Sequence, residues 1–121
     1  MNYKNIDVPI SKTFEGVVYS IVAQPETPDF QGDIWPADEI RKAAFNFMEQ
    51  SRLFNRSHTD EILPVSLVES WVTREAGTLG DEEYLPGSWL IGIRINSPDL
   101  MDQILSGEYS AVSIEGTGMR T

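Results

Sequence analysis

Ser88-Trp89-Leu90-Ile91-Gly92-Ile93-Arg94-Ile95-Asn96 is the stretch on which the fold turns. Trp89, Ile91, Ile93 and Ile95 recur at every second position, the period of a strand with one buried face, while Gly92 and Arg94 fall on the other face. Directly after it, Ser97 offers a helix N-cap, Pro98 suits a first helical turn, and Asp99 and Asp102 fit the positive end of a helix dipole. Leu100, Met101, Ile104 and Leu105 then make the buried stripe of a short helix that stops before Gly107. A strand with one apolar face, followed at once by an amphipathic helix, predicts a sheet with helices packed on it.

Upstream, the β-branched and aromatic run Phe14 to Ala23 reads as one strand, closed by the proline-bearing stretch from Gln24 to Asp29. Pro36-Ala37-Asp38-Glu39 opens a helix whose apolar face is Ile40, Ala43, Ala44, Phe47 and Met48. Leu63 to Thr73 reads as a long strand, with Val65, Leu67, Glu69 and Trp71 on one face. The glycines and acids between Glu75 and Gly87 suit an exposed connection or hairpin tip. Tyr109 to Ile114 alternates as a last strand. These elements predict an α+β domain spanning 1–121: a mostly antiparallel sheet, curled or closed into a β-barrel, with two helices. The reading leaves 1–12 outside the regular elements, where a flexible N-terminus would fit.

Composition narrows the classes of function. Nineteen acidic against nine basic residues give a formal charge of −10, which disfavours a phosphate-binding basic patch and so argues against a nucleic-acid partner. An acidic nucleic-acid mimic would need carboxylates gathered on one surface, whereas here they are scattered among apolar runs. The chain has no cysteine, which removes disulfides, thiolate zinc sites and cysteine nucleophiles and is compatible with an intracellular setting. Met1 to Asp7 lacks the apolar core of a signal peptide, and no apolar run approaches the ~20 residues that span a bilayer, so no membrane association is expected.

The chemistry-bearing residues are few. His58, the only histidine, lies in Asn55-Arg56-Ser57-His58-Thr59-Asp60, and serines follow far downstream in Ser110-Ala111-Val112-Ser113-Ile114-Glu115-Gly116. A hydroxyl needs a base poised near neutrality to act as a nucleophile, and imidazole is the side chain that titrates there. If the chain does serine chemistry, His58 is the base. The bland alternatives are a histidine in a surface loop and serines that merely occupy a half-buried strand. Asp29 and Asp33 flank Gly32 where turn geometry explains them better than metal binding, and one histidine with scattered carboxylates implies neither metal nor cofactor. Trp35, Trp71 and Trp89 read as core or interface aromatics.

Taken in order, Gly16-Val17-Val18-Tyr19, the turn Asp29-Phe30-Gln31-Gly32-Asp33, the helix, His58, Val68-Glu69-Ser70, Gly87-Ser88-Trp89 and Ser106-Gly107-Glu108 leading into Val112-Ser113-Ile114-Glu115-Gly116-Thr117-Gly118 resemble the XkdF-like phage serine protease family. The family is related to phage prohead maturation proteases and to herpesvirus assemblins, and the resemblance runs from about Phe14 to Arg120. It implies a small endopeptidase of capsid assembly that cleaves the phage scaffold or major capsid protein, and its own chain, in the host cytoplasm within or on the procapsid. Carried over by position, Ser113 is the nucleophile and His58 the general base. Gly116 and Gly118 suit the oxyanion or substrate side, since glycine lets backbone N–H groups approach closely. Herpesvirus relatives use a second histidine that this chain does not have, so an acid is expected as third member. Glu69 is the first choice, because a carboxylate on an apolar strand face needs a partner; Asp60, Asp33 and Glu115 are the others. The assemblin relatives dimerise through helices, so a homodimer is compatible with the two apolar helix faces. The competing reading is a catalytically inactive capsid-assembly or scaffold-associated domain that keeps the protease fold.

Overall fold

The computed structural model describes residues 7–29, 32–57, 65–108, 111–113 and 118–120, with side chains at 9–29, 32–50 and 65–108. The elements run β1 (Asp7–Phe14), β2 (Val17–Ala23), α1 (Ala37–Ser57), β3 (Val65–Val72), β4 (Gly77–Leu79), β5 (Glu82–Tyr84), β6 (Trp89–Ile95), α2 (Pro98–Leu105), β7 (Ala111–Ser113) and β8 (Gly118–Arg120). Six of the strands form one sheet in the order β3-β6-β2-β1-β7-β8, and each pairing in it is antiparallel. The expected α+β class is therefore the class found. Of the two shapes left open by the sequence, the sheet is the open one: among the described residues β3 and β8 do not pair with each other, and no barrel closes.

β6 anchors the sheet because its alternation is obeyed to the letter. Trp89, Ile91, Ile93 and Ile95 are buried on one face with Val18, Val22 and Val65. Onto that same face α1 brings Ile40, Ala43, Ala44 and Phe47, and α2 brings Leu100 and Ile104. Phe47 meets Trp89 at 5.4 Å between ring centroids, and the buried Trp89 indole N–H donates to Ser70 Oγ at 3.0 Å, so its polar atom is satisfied. Full burial of Ile40 and of Ile91 contributes about 2 kcal/mol each by transfer from water. On the opposite face a smaller cluster of Ile21, Leu79 and Leu90, flanked by Tyr19 and Tyr84, seats the β4–β5 hairpin.

The helix boundaries follow their capping chemistry. Ser97 Oγ accepts the Leu100 N–H at 3.3 Å, as expected for the N-cap of α2. The other end closes by Glu108 N–H to Gln103 carbonyl and Gly107 N–H to Ile104 carbonyl, with Gly107 at φ +88, the paired bonds of a Schellman stop. Leu105 was expected in the buried stripe but is 66% exposed, because Leu100, Met101 and Ile104 already fill the arc of the last helical residues that faces the sheet. In α1 the Pro36 carbonyl accepts the Ile40 N–H, and the helix runs on to Ser57, beyond the expected apolar stripe that ended at Met48.

Three further departures concern strands. Phe14 to Ala23 is not one strand: the chain reverses at Glu15-Gly16, both in the left-handed region at φ 51 and 81, so Phe14 ends β1 and Val17 begins β2. Residues 7–12, set apart as an N-terminal stretch, form most of β1. Finally, β3 carries a bulge at Val68, where Leu67 pairs with Ile93 but Glu69 with Gly92. An extra residue inverts the alternation beyond it. Val65 and Leu67 thus share the helix-covered core with Ser70 and Val72, whereas Glu69 and Trp71, expected on the face of Val65, lie on the opposite one.

Candidate active site

β7 is an interior strand. On one side it pairs with β1, placing Asp7 opposite Ser113, Val8 opposite Val112 and Pro9 opposite Ala111. On the other it pairs with β8, placing Gly118 opposite Ser113 and Met119 opposite Val112. The β7–β8 pair brackets 114–117, the stretch that carries Glu115 and Gly116. Of the residues nominated from the sequence, Ser113 and Gly118 are therefore brought together as direct cross-strand partners. Glu115, Gly116, His58 and Asp60 lie outside the described residues; α1 ends at Ser57, immediately before His58 in the chain.

Glu69 is placed elsewhere. β6, β2 and β1 stand between its strand and β7. At about 4.8 Å per step, the four steps amount to about 19 Å measured along the sheet. Its carboxylate accepts a hydrogen bond from the Tyr19 hydroxyl. That bond, then desolvation and the nearby charges of Glu69 and Glu15, holds the Tyr19 phenol above its ordinary pKa of 10.0. Trp71 meets the Tyr19 ring edge-on, with centroids 6.3 Å apart at 73°. The arrangement depends on Gly92, the residue opposite both Tyr19 and Glu69: a Cβ there would come within 2.8 Å of Tyr19 Cε1 and 3.2 Å of Glu69 Oε2. Glu69 is thus accounted for locally, and the described residues do not bring it to Ser113.

Asp33 is exposed, and its backbone N–H donates to Asp29 Oδ1 at 2.9 Å. The other Asp29 oxygen accepts the Trp35 indole N–H at 3.0 Å, and the Asp29 N–H reaches the Asp33 carbonyl across Gly32 at φ +81. The turn reading of Asp29 and Asp33 thus has its hydrogen bonds. Among the described residues no three His, Asp or Glu side chains converge as a metal site would need, and no helix is long and apolar enough to cross a membrane.

What the sequence reading missed is the frame around β7. Neither β1 nor β8 was assigned, yet these two strands hold Ser113 on both sides. The signal for β1 was present in Val8 and Ile10, but Pro9 argues against a strand and Lys12 and Thr13 blur the apolar pattern. For β8, three residues carry no periodicity to read.

An open antiparallel sheet with both helices on one face, and Ser113 on an interior strand, defines a small α+β fold. Residues 7–121 match the family described as "Putative phage serine protease XkdF", and the chain belongs to this family. It is 35% identical over 101 residues to the phage-like element PBSX protein XkdF of Bacillus subtilis (strain 168), a match covering 84% of this chain and 36% of that protein. It is 34% identical over 101 residues to the uncharacterized protein YqbD of the same strain, covering 84% of this chain and 31% of that protein. The chain thus spans about a third of the length of these curated relatives. No solved structure matches.

Proposed function

We propose that this chain is a serine endopeptidase of phage capsid maturation, acting on the scaffold or major capsid protein and on its own chain, with Ser113 as nucleophile and His58 as general base. The observation that carries the reading is the position of Ser113: it ends a strand bonded on both sides and faces a glycine across the β7–β8 pair. A nucleophile on an interior strand is held in place before substrate arrives, and orientation of this kind supplies a large part of enzymic rate enhancement. Family membership supports the same reaction class.

In this mechanism Ser113 Oγ attacks the scissile carbonyl carbon while His58 takes its proton. The tetrahedral oxyanion is met by backbone N–H groups at Gly116 and Gly118. His58 then returns the proton to the amide nitrogen as the C–N bond breaks, and water, deprotonated by the same imidazole, releases the acyl group from Ser113. The orienting acid is proposed among Glu69, Asp60, Asp33 and Glu115. The Tyr19 hydrogen bond and the intervening strands weigh against Glu69, so the reading rests on the Ser113 and His58 pair.

The site of action in this reading is the host cytoplasm, within or on the procapsid. Self-association belongs to the same proposal: Phe45 on α1 and Leu105 on α2 expose apolar side chains from the two helices, where a second copy would dock.

Co-expression with the phage scaffold and capsid proteins, followed by intact-mass measurement, tests the reading. Truncated products that disappear with Ser113→Ala support it. Processing that persists in Ser113→Ala contradicts it and favours an assembly domain without catalysis.

A further inference from the structure

β1 changes partner along its length, and a cleft opens where it does so. Ile10 and Lys12 to Phe14 of β1 pair with β2, with a bulge at Ser11, whereas Asp7, Val8 and Pro9 pair with β7. Beyond Ser20, the β2 residues Ile21 to Ala23 are no longer in register with β1, although Ile21 and Ala23 remain paired with β6 on their other side. Between Pro9 and this part of β2 lies a cleft of about 210 Å³, walled by Pro9, Ile21, Ala23 and Trp35, with Asp29 and Glu82 as its charged lining. Among the described residues no lysine or arginine lines it.

The chemistry of the lining selects one kind of guest. Proline, aliphatic side chains and an indole make an apolar wall suited to a methylene stem, and the two carboxylates favour a cation at its end. The Asp29 carboxylate is held in orientation, one oxygen by the Trp35 indole N–H and the other by the Asp33 backbone N–H. The indole beside it adds an aromatic surface that attracts cations. A chain with net charge −10 strengthens the same preference at longer range.

The cleft also adjoins the proposed nucleophile. Pro9, on its wall, is opposite Ala111, and Ser113 lies two residues along β7. Two strand residues cover about 7 Å, so a guest side chain in the cleft belongs to a peptide residue about two or three positions from a bond held at Ser113.

We infer that this cleft is a specificity subsite that takes a lysine or arginine side chain of an extended peptide near the scissile bond. The inference rests on the protease reading for its catalytic meaning, and it has a binding readout that does not.

The 121-residue chain is presented with extended peptides in which lysine is scanned through successive positions, each compared with its methionine counterpart. Cleavage is followed by mass, and binding by the NMR shift of the Trp35 indole N–H. Lysine is expected to be favoured about tenfold over methionine at one position, and Glu82→Gln, on the exposed hairpin, is expected to reduce that ratio about threefold. A Trp35 shift that follows lysine peptides and weakens in Glu82→Gln supports the subsite even if no peptide is cut, in which case it is the protease reading that fails. Cleavage with no basic preference at any position overturns the subsite and leaves the protease reading standing; equal Trp35 shifts with lysine and methionine peptides overturn the subsite whether or not any peptide is cut.

Discussion

Ser113 and Gly118 face each other across the β7–β8 pair, the serine at the end of one strand and the glycine at the start of the next. Side chains at directly opposed positions stand about 5 Å apart, and glycine contributes none; in the proposed mechanism the Gly118 N–H is one of the donors to the oxyanion. Asp7 on the other flank completes a bonded frame on both sides of the serine.

The first prediction concerns that glycine. Gly118→Ala is expected to lower kcat/KM for peptide cleavage about tenfold to a hundredfold, within the range seen when an oxyanion donor is disturbed, while changing the unfolding free energy by less than about 1 kcal/mol. Steady-state kinetics alongside urea unfolding of the same preparation separates the two effects. An unchanged kcat/KM would remove Gly118 from the site.

The second concerns Tyr19 and Glu69. With its pKa raised above the ordinary 10.0, the Tyr19 phenol binds its proton more tightly in the folded chain than in the unfolded one. The stabilisation is fully present below pH 10 and is lost as pH climbs through the folded pKa, because the folded state then holds a proton that the unfolded state has released. In Glu69→Gln the Tyr19 ring resonances are expected to titrate at lower pH than in the parent, and the loss of stability above pH 10 to become shallower. NMR titration of Tyr19 and urea unfolding at a series of alkaline pH values measure both. A Tyr19 titration that Glu69→Gln does not move would break the assignment.

Gly92 supplies the third. A methyl there meets the Tyr19 ring, which is held by its Trp71 contact and by Glu69 and so cannot simply swing aside. Gly92→Ala is expected to destabilise the fold by about 1–2 kcal/mol despite the better strand propensity of alanine, and pairing it with Tyr19→Ala should recover part of that loss. Chemical unfolding of the two single variants and the double variant gives the coupling; independent, additive effects would argue against the contact.

Legibility from sequence followed the strength of local signals. β6 was readable because four apolar residues at strict alternation admit one interpretation, and α2 because Ser97, Pro98 and Gly107 mark its ends chemically. The apolar face of α1 was equally plain, although its length was not, since nothing at Met48 stops a helix. The face of Glu69 was misread because a bulge at Val68 leaves no mark in composition; it is set by pairing with β6, a partner distant in sequence. The hairpin at Glu15-Gly16 was missed because its first position is glutamate rather than the asparagine or aspartate that usually signals such a turn. As for the site, Ser113 was nominated through family resemblance and Gly118 for the close backbone approach glycine allows, but that they are cross-strand partners is a property of register alone.

The central claim is an activated serine, and fluorophosphonate labelling with peptide mapping of the adduct addresses it directly. The account expects the label on Ser113 in the folded chain, absent in Ser113→Ala and slowed at least about a hundredfold in His58→Ala, the loss that follows removal of a general base. A folded chain that takes up no label, or whose labelling at Ser113 is indifferent to His58→Ala, would contradict it.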